Sequence, residues 1–146
     1  MSRKRFILDT SALLTLIEDE DGADRVEQVL SEEYAFLPWV VLLETTYVTQ
    51  QERGQSEADR RYALAKGLSA TILWEMDEPT LLQAARLKAT HRVSLADSII
   101  AAFAIRKDAI LLHKDPEFEL LVGQVAQEIL PYKNRDKTID KAESIS

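Results

Sequence analysis

The sequence predicts an α/β fold in which helices cover both faces of a parallel, roughly five-stranded sheet. Short apolar segments alternate with longer stretches whose apolar residues recur at helical spacing. Gly22, Pro38 and Gly54 punctuate the boundaries between them. Strand and helix therefore follow one another repeatedly, and that order joins parallel strands through helical crossovers.

Arg5 to Asp9 reads as a short buried strand with Phe6-Ile7-Leu8 at its core. Thr10 or Ser11 then caps a helix whose apolar positions are Ala12, Leu13, Leu14, Leu16 and Ile17. A second helix follows Gly22, over about 23–30. Tyr34-Ala35-Phe36-Leu37 is the next strand, ended by Pro38. The helix after it spans about 39–53 and stops at Gly54. Ser56 caps another, to about Ser69, with Glu57 in an acidic first turn. Thr71-Ile72-Leu73-Trp74 is the third strand, and a helix with Pro79 near its start runs from about Glu78 to His91. A further helix spans Ser94 to about Lys107, before a strand at Ala109-Ile110-Leu111-Leu112. A short helix from about Pro116 and a last strand, Gln127-Glu128-Ile129-Leu130, complete the order.

The chain has 146 residues, which suits one domain with a sizeable core, placed at residues 1–131. Residues 132–146 are polar and charged, beginning Tyr132-Lys133-Asn134-Arg135-Asp136-Lys137, and read as a mobile or partner-docking tail. Cysteine is absent, so the sequence has neither disulfides nor thiolate ligands, which suits a reducing cytoplasm. The apolar run at Phe6-Ile7-Leu8 is too short for a signal peptide, and no stretch approaches a membrane span of ~20 residues. The net charge is −7. Such a chain does not draw nucleic acid by its overall field; RNA would be held by a local basic patch and bound cations. The same acidity suits a basic protein partner.

Four carboxylates stand out. Asp9 follows the first strand, at the edge where parallel sheets bind ligands, although a carboxylate there also serves as a helix cap. Glu44 interrupts an apolar helix face made by Val40, Val41, Tyr47 and Val48. A carboxylate there needs a cation, a partner or a cleft, unless it lies on the margin and reaches solvent. Asp97 likewise shares a face with Val93, Ile100 and Ala101, while Ser94-Leu95-Ala96-Asp97 has the form of a capping box. Asp115-Pro116 is a standard helix start, yet it follows the fourth strand at the same sheet edge as Asp9. In a doubly wound fold all four acids converge on one cleft. Their mutual repulsion then calls for a cation, and oxygen-only donors favour Mg²⁺ or Mn²⁺.

The ordered set of segments resembles the PIN-domain ribonucleases, and especially the VapC-like toxins of type II toxin–antitoxin systems. The matching pieces are Phe6-Ile7-Leu8-Asp9-Thr10-Ser11-Ala12-Leu13-Leu14, Glu44 on its helix, Ser94-Leu95-Ala96-Asp97-Ser98-Ile99-Ile100-Ala101-Ala102, and Asp115-Pro116-Glu117-Phe118. They cover about residues 5–130. The resemblance implies a three-layer α/β/α sandwich and Mg²⁺- or Mn²⁺-dependent cleavage of RNA phosphodiester bonds. It puts Asp9, Glu44, Asp97 and Asp115 at the family's acidic positions and Ser11 at its hydroxyl position, binding the scissile phosphate or orienting Asp9. It further implies a homodimer, silenced by a cognate antitoxin whose peptide fills a groove near the site. His113 departs from the pattern, because a small hydroxyl residue usually precedes the last acid by two. Its imidazole is open to three roles: contacting phosphate, ligating metal or packing. Glu117 is a substitute or supplement for Asp115.

Lys88, Arg92, Arg106, Lys107 and Lys114 are candidate cations for RNA, each with a solvated helix face as its plainer reading, and His91 reads as a helix-end residue. Leu13, Leu16 and Ile17 belong either to the core or to a docking face. Asp9-Thr10-Ser11 also bears comparison with phospho-aspartate enzymes of the haloacid dehalogenase type. Those require a second Asp two residues on, where this chain has Ser11. A non-cleaving binding module is the other alternative, but such a module has no need of four mutually repelling acids.

Overall fold

Phe6, Ile7 and Leu8 occupy the middle of the sheet because a central parallel strand is buried on both faces and all three are apolar. The computed structural model describes residues 2–132. Residues 133–146 of the expected tail lie outside them. Strand β1 (Arg5–Leu8) leads into α1 (Thr10–Ile17) and α2 (Ala23–Glu32). After β2 (Tyr34–Pro38) come α3 (Trp39–Arg53) and α4 (Gln55–Lys66). Then β3 (Thr71–Leu73) precedes α5 (Glu78–Thr90) and α6 (Leu95–Arg106). Finally β4 (Ile110–His113), a 3-10 helix (Pro116–Leu121) and β5 (Gln127–Ile129) close the fold.

The five strands are parallel in the order β3-β2-β1-β4-β5. The chain builds outward from β1 through β2 to β3, then crosses back to place β4 on the other side of β1. The reversal makes β1 and β4 the switch point, where the connections diverge and leave a crevice at the strands' carboxyl ends. Asp9 leaves β1 at that edge, and its N–H still donates to the Leu112 carbonyl of β4 at 3.2 Å.

Successive side chains of β1 meet different helical layers, as the pleat requires. Arg25 of α2 lies over the Phe6 ring. Lys107, which ends α6, lies over Phe36, the register partner of Ile7. The three-layer α/β/α arrangement follows. Leu13 is fully buried, whereas Leu16 and Ile17 are half-buried and line an apolar groove with Leu30, Leu64 and Leu68.

Several element ends differ from the sequence expectation. Asp9, not Thr10 or Ser11, caps α1: its backbone is extended and its Oδ1 accepts from Ala12 N–H. Helix α4 starts one residue after Gly54, whose φ of 90° turns the chain sharply, so Ser56 lies in the first turn and caps nothing. The helix stops at Gly67 rather than Ser69. Strand β4 extends to His113, which pairs with Ile129 and is fully buried.

The burial of β1 predicts that Ile7→Ala lowers unfolding free energy by about 3–4 kcal/mol in urea denaturation. Glu27→Ala on the exposed side of α2 should change it by less than about 0.5 kcal/mol.

Candidate metal centre

Asp9, Asp97 and Asp115 reach the crevice from three elements: the end of β1, the first turn of α6 and the residue before the 3-10 helix. Carboxylate oxygens of Asp97, Asp115 and Glu117 all lie within 4.8 Å of one another. Asp9 is 2% exposed and feels the charge of Asp115, and Asp97 feels the charges of Asp115, Glu117 and Asp9. The structure thus brings together three of the four expected acids and adds Glu117.

Each acid is pinned by the local chain. Ser11 Oγ donates to both Asp9 oxygens (2.7 and 2.8 Å) and accepts from Lys114 N–H (2.7 Å). One hydroxyl therefore ties the end of β4 to the carboxylate that ends β1. Ser94 Oγ accepts from Asp97 N–H, which is half of the expected capping box. The other half is not made by Asp97: Ser94 N–H donates to Glu117. A distant glutamate caps the helix, so the Asp97 carboxylate is left to face the other acids. Asp115 accepts from Glu117 N–H at 2.9 Å, and its own N–H donates to His113 Nδ1 at 3.1 Å.

That last bond resolves the role of His113. With Nδ1 accepting, Nε2 carries the proton and donates to Gln127 Oε1 (2.7 Å). Its ring packs against Phe118 at 4.9 Å, and burial lowers its pKa. Both nitrogens are committed, so His113 orients Asp115 and offers nothing to a metal or phosphate.

Glu44 sits differently from expectation. The buried face of α3 is made by Val40, Val41, Leu42, Thr45 and Thr49, and Tyr47 is exposed. Glu44 is on the margin, half-buried, and its Oε1 accepts from Thr10 Oγ1 at 2.5 Å. It is anchored to the residue that follows Asp9 but is not one of the close triad.

Two of the basic candidates, Lys114 and Arg106, lie turned or set away from the acids. Lys114 turns inward: its side chain is 3% exposed, and Nζ donates to the Asp21 carbonyl at 2.6 Å with Glu20 at 3.8 Å. Arg106 is nine residues along α6 from Asp97, about 14 Å at the helical rise. Lys88 and Arg92 are exposed.

Burial pushes Asp9 up to about 7, against the hydrogen bonds from Ser11 and Ala12 that favour its ionised form. Asp97 is driven well above the carboxylate range, first by burial, then by hydrogen bonding with Glu117 and by the neighbouring negative charges. Such groups ionise readily only beside positive charge. The donors are all carboxylate oxygens, a set that suits a hard divalent ion.

The PIN domain family model matches residues 6–123. No curated protein sequence matches the chain. Among solved structures, VapBC2 from Rickettsia felis, bound to a DNA fragment from its promoter, is 14% identical with a TM-score of 0.72, covering 87% of this chain and 99% of that one. VapC20 of Mycobacterium tuberculosis, a toxin that cleaves the sarcin–ricin loop, is 17% identical with a TM-score of 0.67, covering 86% and 99%. VapBC-1 from nontypeable Haemophilus influenzae is 19% identical, also with a TM-score of 0.67, covering 86% and 97%. At these identities the likeness is one of fold.

Two outcomes follow from the geometry. In the folded state Asp9 holds its proton to about pH 7, whereas an unfolded aspartate loses it near ~3.9. Stability contributed by that proton is present below pH 4 and lost as pH rises through 7. Metal-stripped protein should therefore melt several degrees lower at pH 8 than at pH 5.5, and excess Mg²⁺ should narrow the gap in a calorimetric scan. Ser11→Ala leaves Lys114 N–H and the Asp9 carboxylate short of a partner, which should cost about 1–3 kcal/mol in denaturant titration.

Proposed function

This chain belongs to the PIN-domain family, and from that premise we propose that it is a divalent-metal-dependent endoribonuclease, the toxin of a toxin–antitoxin pair. One observation carries the reading: Asp9, Asp97, Asp115 and Glu117 converge at the sheet's switch point, two of them buried and held above the ordinary carboxylate range. A structural domain gains nothing from that arrangement, because it bears the repulsion of the acids without return.

Asp9, Asp97 and Asp115 would hold a Mg²⁺ or Mn²⁺ ion, with Glu117 beside them. The ion, when bound, supplies positive charge to the phosphoryl oxygens and acidifies water. Ser11 fixes the rotamer of Asp9 through its hydrogen bonds, and on the family resemblance it would also meet the scissile phosphate. His113 fixes the backbone from which Asp115 projects. Glu44, steadied by Thr10, would either ligate the ion through water or take the proton of the attacking water.

The toxin part of the reading is supported by the fold shared with toxins such as VapC20 and with the VapBC complexes. It extends to a cognate antitoxin, a homodimer and action in the cytoplasm. The groove lined by Leu16, Ile17, Leu30 and Leu64 suits an antitoxin peptide, since half-exposed aliphatic side chains in a concave site favour a covering partner. Among the described residues no helix is long and apolar enough to cross a membrane.

Purified protein incubated with structured RNA should cleave it in Mn²⁺ or Mg²⁺ and stop on addition of EDTA. Asp9→Asn should lower kcat/KM by more than about 100-fold while the fold persists. Cleavage indifferent to both EDTA and the substitution would overturn the metal-nuclease reading. RNA binding without cleavage, under all metal conditions, would point to a binding module.

A further inference from the structure

A cavity of about 260 Å³ opens beside the acids, with Ser11 and Asp115 in its wall. Asp115 also belongs to the carboxylate cluster, so an occupant of the cavity stands beside the metal centre. Pockets for small-molecule ligands usually run to about 300–1,000 Å³, and this one is sized for a single side chain. Leu14 and Pro116 line it with apolar surface, and Glu20 and Asp115 supply carboxylates. Lys114 adds no cation to the space, because its side chain is 3% exposed and Nζ donates to the Asp21 carbonyl. An aliphatic stem with a cationic head suits such a wall: the stem lies on Leu14 and Pro116 while the head meets the acids.

The chain carries such side chains directly beyond the cavity wall. Tyr132 lines the cavity, and its hydroxyl donates to Glu119. The sequence then continues Lys133-Asn134-Arg135, with two cations and no acid. Lys133 is one residue from the wall and Arg135 is three, and three extended residues span at most about 10–11 Å. A tether that short holds the cations at an effective concentration on the order of millimolar. A basic side chain arriving from solution has to match that concentration, which favours this segment as the occupant.

We propose that a cationic side chain of residues 133–135 occupies this cavity, pairs with Asp115 and Glu117, and competes there with the divalent ion. The contact is autoinhibitory: it supplies positive charge to carboxylates that otherwise repel one another, and the ion has to displace it. Linkage makes the competition reciprocal, so the ion weakens the hold of the tail by the same factor by which the tail weakens the hold of the ion. The proposal rests on the metal-centre reading of the acids and adds regulation to it.

Two measurements on the purified full chain test it, and neither needs RNA. In a calorimetric titration, Lys133→Gln/Arg135→Gln should bind Mg²⁺ about 5-fold or more tightly than the parent protein. Lys137→Gln/Lys141→Gln removes the same charge from farther along the chain and should stay within about 2-fold of the parent in physiological salt. In metal-free protein a carbodiimide, which joins an amine to a carboxylate that it touches, should couple Lys133, or residue 135 of Arg135→Lys, to an acid of the cavity or the cluster. Saturating Mg²⁺ should abolish that coupling. A mixture of isotope-labelled and unlabelled protein separates coupling within one chain from coupling between two. The proposal is overturned if the two double variants bind Mg²⁺ alike, if neither protein couples, if Mg²⁺ leaves the coupling unchanged, or if the coupling joins two chains, which would make a second copy the occupant. Failure of the two readings is distinguishable. Metal-sensitive coupling and tighter Mg²⁺ binding, without RNA cleavage at any metal concentration, would remove the nuclease and keep the contact. RNA cleavage with the same Mg²⁺ requirement in the parent and in Lys133→Gln/Arg135→Gln would remove the contact and keep the nuclease.

Discussion

Carboxylates brought together out of water repel one another, and the repulsion grows as the local dielectric falls. Asp9, Asp97 and Asp115 are gathered in this way at the carboxyl ends of β1 and β4. Much of the surrounding structure offsets that repulsion. Ser11 and the Ala12 N–H donate to Asp9, Glu117 N–H donates to Asp115, and the two most buried acids keep protons that solvent would take from them. The cluster offers only carboxylate oxygens, a donor set that suits a hard cation.

The supporting contacts come from groups that are remote in sequence. His113 holds Asp115 through a backbone hydrogen bond and is itself held by Gln127 of β5. Glu117 caps α6 from the far side of β4, and Lys114 draws the turn after α1 toward the end of β4. Cations are largely spent elsewhere. Arg25 pairs with Glu128 across α2 and β5, and buried Arg61 pairs with Glu18 and Glu57 between α1 and α4. The net charge of the whole chain is −7.

Much of this was legible in advance, because it depends on local rules. Apolar triplets such as Phe6-Ile7-Leu8 announce buried strands, and the alternation of strands with helices implies parallel pairing. Asp9 and Asp97 are visible because a charged residue beside or within an apolar run is out of place unless something needs it there, whereas Asp115 reads on its own as a helix cap and is picked out by the resemblance. Glu44 shows where this reasoning weakens. The spacing put it on the buried stripe of α3, but α3 packs through Thr45 and Thr49, and Glu44 lies at the margin. Helical periodicity gives the angle between residues and not the direction in which the helix faces its neighbours.

Chain order, charge pattern and the family-like motifs were enough to specify an α/β/α domain and to nominate its acids, because secondary structure and amphipathicity are encoded within a few residues. The tertiary structure alone decided which groups meet. It gave half of a capping box to Glu117, committed both nitrogens of His113 and turned Lys114 away from the site. These outcomes depend on pairs separated by up to about a hundred positions, such as Ser11 with Lys114. A polar side chain with several possible partners takes the one that burial leaves within reach, and only the packed chain determines which that is.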